Sequence, residues 1–383
     1  MKPRQHIWIV GPAAAGANNG NWQSASRWAR FLRAHYRVTL AQQWPAARAA
    51  GAAAAHANAG AEATAAAEAH AGAGASATTA AAEAQAAGLV TTTATGATPG
   101  RDAPPPDLLI ALHARRSAPS LDAWTRAWPD RPSVLLLTGT DLYRDIAVDA
   151  DAQRALVQAT ALVLLQPAGR MLLPEALRAG AHVIYQSATA LAPVPATARR
   201  RFDIAMVGHL RHEKDPLTFM RAAQLVRAPA ARLVHIGGVL EPELAAAAQA
   251  TAAQQPRYRW LGAMAHAATR QRLKRCHAMA LTSHMEGGAN VIIEAVTAGV
   301  PVLASDINGN RGMLGDDYAG YFPPGDAAAL ARLIDRTIEE PRFHQLLREQ
   351  CAARAPLFAP AAERAALLAL VDNLLNPQEG NKP

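Results

Sequence analysis

Glu286-Gly287-Gly288-Ala289-Asn290-Val291-Ile292-Ile293-Glu294, continued by Ala295-Val296-Thr297-Ala298-Gly299-Val300-Pro301-Val302-Leu303, reads as a loop, a short helix, a glycine stop and a buried strand. Small and apolar residues carry the helix to Gly299, and the run after it is apolar throughout, as in a strand covered on both faces. A helix starting near Gly288 to Asn290 has free N–H groups and a positive dipole end, which suit a phosphate-sized anion. Glu286 stands at the loop mouth, and Glu294 about one turn into the helix, facing the same cleft. Two hydroxyl acceptors flanking one anion site fit a ligand with hydroxyls at both ends and phosphate in the middle, such as a nucleotide sugar. The structural alternative makes Glu286 a capping residue and Glu294 a solvated helix carboxylate.

Working outward, the same strand and helix rhythm recurs. Ile7 to Val10, Arg37 to Ala41, Leu108 to Leu112, Val134 to Leu137, Ala161 to Leu165 and His182 to Tyr185 are short apolar runs, with helical segments between most of them. The helix after the first run places Trp28, Phe31 and Leu32 on one face. A second series starts after Pro193 and Pro195, with strands at 204–208, 232–238, 257–262, 278–283, 300–304 and 319–322. Apolar strands alternating with helices argue for parallel sheets covered on both faces. The expected fold class is α/β: two doubly wound, Rossmann-like domains facing each other across a cleft. Their boundaries are 1–192 and 193–350, and residues 351–383 form a C-terminal helix returning to the first domain. In such sheets ligands lie beyond the carboxyl ends of the strands, where the glycine-broken, polar segments 11–20, 208–215 and 284–290 fall.

Between about Ala46 and Pro106 the rhythm stops. This Ala, Gly and Thr tract lacks large hydrophobes until Leu89 and Val90, so it can add little to a core. It reads as a surface-loop insertion, part fluctuating helix and part disorder, whose deletion leaves activity intact.

The chain has 383 residues, a size that favours two domains. No stretch is apolar enough to span a membrane. Met1-Lys2-Pro3-Arg4 and the apolar run after it imitate a secretory signal, but Val10-Gly11-Pro12 with Gly16 and Gly20 reads better as a strand entering a glycine-rich loop. The two cysteines, Cys276 and Cys351, make no disulfide framework, and they fit a reducing cytoplasm. The net charge of +8 comes from scattered arginines, without the basic run and interleaved aromatics of a nucleic-acid site. A phosphate-bearing small substrate suits that charge.

Gly208-His209-Leu210-Arg211-His212-Glu213-Lys214-Asp215-Pro216 lies between a strand and a helix. Lys214 and Arg211 are cations at the place where a departing diphosphate needs its charge met; alternatively both solvate a loop. His209-x-x-His212 has no third ligand at a sensible spacing, so no metal is expected there.

With these residues in view, the C-terminal half resembles the retaining glycosyltransferases of family 4, which have the GT-B fold. The resemblance rests on the two glutamates with seven residues between them, the glycine-turn-lysine segment and the run from Glu294 to Ser305. It implies Glu286 at the donor sugar, Glu294 at the ribose hydroxyls, and Lys214 with Arg211 at the diphosphate, without a metal or other cofactor. Gly208, His209, Gly287, Gly288, Ala289 and Asn290 complete the implied donor site. The family's arginine after the strand glycine is His209 here, and Arg211 is the substitute this chain offers.

In the N-terminal half, Pro12 to Asn21, Ala111 to Ser117 and Leu137 to Tyr143 look like the selenosugar synthases of selenoneine biosynthesis. Those enzymes join selenophosphate to a UDP-sugar. The resemblance implies a UDP-hexose or UDP-N-acetylhexosamine donor, a selenophosphate acceptor, and hand-off of the product to the downstream selenoneine-forming enzyme. It implies an acceptor site of Gly16, Asn19, Gly20, His113, Arg115, Arg116, Thr138, Thr140 and Asp141. An acceptor that is already anionic and nucleophilic needs cations and N–H donors more than a general base. A family-4 enzyme acting on a hydroxyl of a lipid or saccharide is the alternative, though no convincing amphipathic basic helix offers membrane docking. A nucleotide-sugar sensor without catalysis is a third reading.

Overall fold

The computed structural model describes residues 4–12, 20–44, 105–192, 194 and 201–377. The Ala-rich tract, except Pro105 and Pro106, and the predicted site residues Gly16 and Asn19 lie outside the described residues.

Two six-stranded sheets, parallel throughout, form the frame. The first has the order β2-β1-β3-β4-β5-β6, from β1 (His6–Val10), β2 (Arg37–Ala41), β3 (Leu108–Leu112), β4 (Ser133–Leu137), β5 (Ala161–Leu164) and β6 (His182–Val183). The second has the order β12-β11-β10-β7-β8-β9. Its strands are β7 (Phe202–Val207), β8 (Ala231–Ile236), β9 (Tyr258–Trp260), β10 (Ala278–Leu281), β11 (Val302–Ser305) and β12 (Tyr321–Phe322). This is the expected pair of doubly wound α/β units.

Why these runs make parallel strands is visible in how their side chains divide. Trp8, Val10, Leu109, Ala111, Leu135 and Leu137 enter one core, while Ile7, Ile9, Leu108, Ile110, Val134 and Leu136 enter another on the opposite face. Period-two alternation buries both sets only when helices cover both faces, so no polar face is written into the strand. The edge strand β2 is more exposed, and its sequence Arg37-Val38-Thr39-Leu40-Ala41 is correspondingly mixed.

The helix Pro360–Leu375 covers part of the first domain by inserting Leu367, Leu370 and Val371 into its core. Glu363, almost fully buried, is shared by Arg27 Nε at 2.7 Å, Trp28 Nε1 at 2.8 Å and Ser187 Oγ at 2.5 Å. A buried carboxylate is tolerable only with such partners. The chain crosses to the first domain later than residue 350, because Cys351 and Phe358 belong to the second domain's core. At the other crossing, Ala188 and Leu191 hydrogen-bond to Phe358 and Thr297, so the chain is tied to the second domain a few residues before the expected boundary at 192.

Candidate active site

In each sheet the strand order reverses once. The first reverses between β1 and β3, the second between β7 and β10. Loops leaving adjacent strands in opposite directions open a crevice at that point, the general ligand position in open α/β sheets. In the second sheet those loops are 208–215 and 282–289, which take in two of the three segments singled out in the sequence, 208–215 and nearly all of 284–290.

They are laced together. Thr282 Oγ1 donates to the Lys214 carbonyl at 2.8 Å, and His284 N–H to the Glu213 carbonyl at 3.0 Å. Asp215, at φ 43°, caps the helix Pro216–Leu225 by accepting from Thr218 N–H and Oγ1. An Asp can hold this left-handed conformation because its side chain bonds locally. The result places Lys214 Nζ 2.5 Å from Glu286 Oε1, which also accepts from Ser283 Oγ at 2.6 Å. Glu286, expected at the loop mouth, is only 8% exposed. Its Oε2 has no hydrogen-bond partner among the described residues.

The glycine turn after β7 is held from beneath. His235, fully buried on β8, donates from Nε2 to the Gly208 carbonyl at 3.1 Å, while its Nδ1 lies 3.1 Å from Tyr258 Oη. Burial pushes this ring's pKa down to about 4, so at neutral pH it is an uncharged donor and acceptor. His209 Nδ1 accepts from Gly238 N–H at 3.0 Å, tying that turn to the next loop. Arg211 is half exposed, with Glu213 at 4.0 Å as its ion-pair partner. Glu294 meets His266 Nε2 at 2.7 Å, so the second glutamate has a partner from another helix. The helix Asn290–Thr297 begins after Ala289 without a side-chain cap, leaving its first N–H groups without a side-chain acceptor.

Facing this is the first domain. A β-carbon on Gly287 would stand 2.4 Å from the Thr138 carbonyl oxygen, and one on Gly288 2.6 Å from Leu165 Cβ. The two glycines are where the opposite domain's chain touches the loop. Gly20, at the start of its helix, lies opposite Asn290, since a β-carbon there would be 3.5 Å from Asn290 Nδ2.

His113, at φ 73°, is buried, with Nε2 3.2 Å from Thr140 Oγ1 and Nδ1 accepting from Arg116 N–H. Desolvation lowers its pKa, partly opposed by the charge of Asp141. Arg115 Nε pairs with the buried Asp145 at 3.2 Å, and Arg116 is exposed. Asp141 departs from its expected part. It is fully buried, and its carboxylate accepts N–H bonds from Ala114, Thr138 and Gly139. It therefore shapes two loops and has no surface to offer an acceptor.

Tyr143, Gln166, Ser283 and His266 join the predicted residues at the site. Ser283 was findable, three residues before Glu286; the others meet the site only through tertiary packing. His209 and His212 do not share a ligand site. Instead His212 Nε2, Glu241 and Glu243 place ligand-type atoms within 4.8 Å of one another near the surface. These groups bond each other, through His212 N–H to Glu241 at 2.9 Å and Nε2 to Glu243 at 3.1 Å.

Residues 190–357 match the family model described as glycosyl transferases group 1, which takes in the second domain and its switch-point loops. No curated protein matches the chain by sequence. Among solved structures it is similar to the sucrose-phosphate synthase of Thermosynechococcus elongatus, at 18% identity and a TM-score of 0.66, covering 97% of this chain and 99% of that one. It is also similar to HepE of Anabaena, solved in complex with UDP-glucose, at 16% identity and a TM-score of 0.70, over 97% of this chain and 100% of the other. At such identities the likeness is one of fold, and that fold is the two-domain GT-B arrangement. No helix among the described residues is long and apolar enough to cross a membrane.

Proposed function

We propose that the chain is a glycosyltransferase that takes its sugar from a UDP-sugar held between the two domains. The observation that carries this is the Lys214–Glu286 pair at the β7/β10 switch point, with one carboxylate oxygen open and an uncapped helix start beside it. Glu286 Oε2 accepts from a hydroxyl of the donor sugar, and Glu294 from the ribose. Lys214, Arg211 and the N–H groups from Gly287 to Asn290 meet the charge that grows on the diphosphate as it leaves, a task that needs no metal in this reading. The match of residues 190–357 to glycosyl transferases group 1 and the UDP-glucose complex of the HepE protein support it.

The acceptor we assign is selenophosphate, and the product a 1-seleno sugar handed on to a selenoneine-forming enzyme. Selenium donates an electron pair to the anomeric carbon as the bond to UDP oxygen breaks with its pair; water then splits the Se–P bond and releases phosphate. Support comes from the N-terminal segments quoted above and from the arginines at 115 and 116, on the domain opposite the donor loops. The second reading is transfer to a hydroxyl of a lipid or saccharide. Mass spectrometry of products from purified protein and UDP-N-acetylglucosamine or UDP-glucose, with and without selenophosphate, separates the two. UDP release that depends on selenophosphate, with a seleno sugar formed, is the expected result. Release only with a hydroxyl acceptor selects the second reading, and absence of UDP release from every donor and acceptor pair rejects both.

A further inference from the structure

Tyr143, on the turn Asp141–Asp145 of the first domain, is partly buried and lies near enough to Glu286 to feel its charge. Its hydroxyl oxygen accepts from Gln166 Nε2 at 3.1 Å. Gln166 is fully buried and held in place, because its Oε1 accepts from Gly169 N–H at 3.3 Å. The same amide abuts the second domain: a β-carbon on Gly312 would stand 1.9 Å from Gln166 Oε1. One turn earlier on that helix, Asn308–Leu314, a β-carbon on Gly309 would stand 1.9 Å from the carbonyl oxygen of Glu286. Residues three apart are neighbours on a helix surface, so Gln166 with its Tyr143 and the backbone of Glu286 sit side by side against one helical face.

Two unused valences result. Tyr143 has received its hydrogen bond, and its own proton has no acceptor among the described residues. Glu286 has filled Oε1 with Lys214 and Ser283, and Oε2 is open. A carboxylate accepts only and a phenol that already accepts has a donor left; the group that satisfies both is a hydroxyl, which donates to one and accepts from the other. Burial and the charge of Glu286 push the Tyr143 phenol up to about 12, which keeps that proton in place.

We propose that Tyr143 and Glu286 together grip one hydroxyl of the donor sugar, Tyr143 donating from the first domain and Glu286 accepting from the second. This rests on the UDP-sugar reading above and adds a specificity-determining residue to it. A sugar lacking that hydroxyl leaves both partners unpaired, and uridine diphosphate alone never reaches Tyr143.

Calorimetry with UDP and with UDP-glucose tests the grip. Tyr143→Phe is expected to weaken UDP-glucose about tenfold and to leave UDP unchanged. Gln166→Glu supplies an acceptor in place of the amide donor, turning the tyrosine proton away from the ligand, and is expected to give the same pattern with Tyr143 intact. Among UDP-glucose analogues deoxygenated at the 3, 4 or 6 position, one is expected to bind the wild type and Tyr143→Phe equally. Equal weakening of UDP and UDP-glucose, or no change in either, in a folded variant overturns the proposal and leaves the UDP-sugar reading standing. Failure of the wild-type protein to bind UDP-glucose at all removes both.

Discussion

The ion pair of Lys214 and Glu286 holds two tasks in one contact. The two groups satisfy each other in a nearly dry place, and each presents a free valence to the cleft: one oxygen, and the remaining ammonium protons. Glu286→Gln preserves the shape and the Ser283 contact while removing the charge. It is expected to lower turnover roughly a hundredfold or more and to change UDP affinity little, read from UDP release rates against calorimetry. Arg115, on the other domain, is half exposed beside the buried Asp145, which Arg144 Nε also meets at 3.2 Å. Arg115→Ala is expected to raise the KM for the acceptor while donor affinity holds; equal losses on both sides would count against an acceptor role.

At the level of elements, the loops carry the candidate site and the strands aim them. The loop 282–289 has to leave β10, pass within contact of Thr138 and Leu165, and start a helix within nine residues of Leu281. Glycine at 287 is what permits the domains to approach, since any side chain meets a carbonyl oxygen at 2.4 Å. Gly287→Ala is therefore expected to hold the cleft open. Small-angle scattering should show an expanded particle, turnover should fall by at least tenfold, and the melting temperature should move by only a few degrees, because neither core is touched. Asp141 works in the same indirect way, fastening the start of the helix Ala114–Ala127 to the Thr138–Gly139 turn.

Across the whole molecule, stability and site meet at His235. Its ring is neutral in the folded protein down to about pH 4, whereas in the unfolded chain it takes a proton near 6.5. Between these values the unfolded state binds the extra proton, so stability is full above about pH 6.5 and falls as pH drops through that window. The loss levels off below about pH 4, having reached on the order of 3 kcal/mol. His6 is likewise lowered to about 4, chiefly by burial, and acts in the same direction. Urea unfolding at pH 7 and pH 5 should show the decline, and His235→Gln, which keeps an amide donor for the Gly208 carbonyl, should flatten it.

The fold was largely legible because its evidence is local. Strands apolar on both faces, glycine-ended and spaced by helices, can be buried only in a parallel sheet with two covered sides, and Ile7 to Val10 or Leu108 to Leu112 state this without reference to any distant residue. Glu286 and Lys214 were also readable, since each lies in a glycine-broken segment directly after a strand. What the sequence could not contain was who meets whom. The pairing of Lys214 with Glu286, of Glu294 with His266, the spending of Asp141 on backbone N–H groups and the arrival of Tyr143 beside Glu286 all join segments far apart in the chain. Local propensity determines which residues form an element and where it ends, whereas a side chain's partners depend on strand order and on how closely two domains pack. Only the tertiary structure sets those.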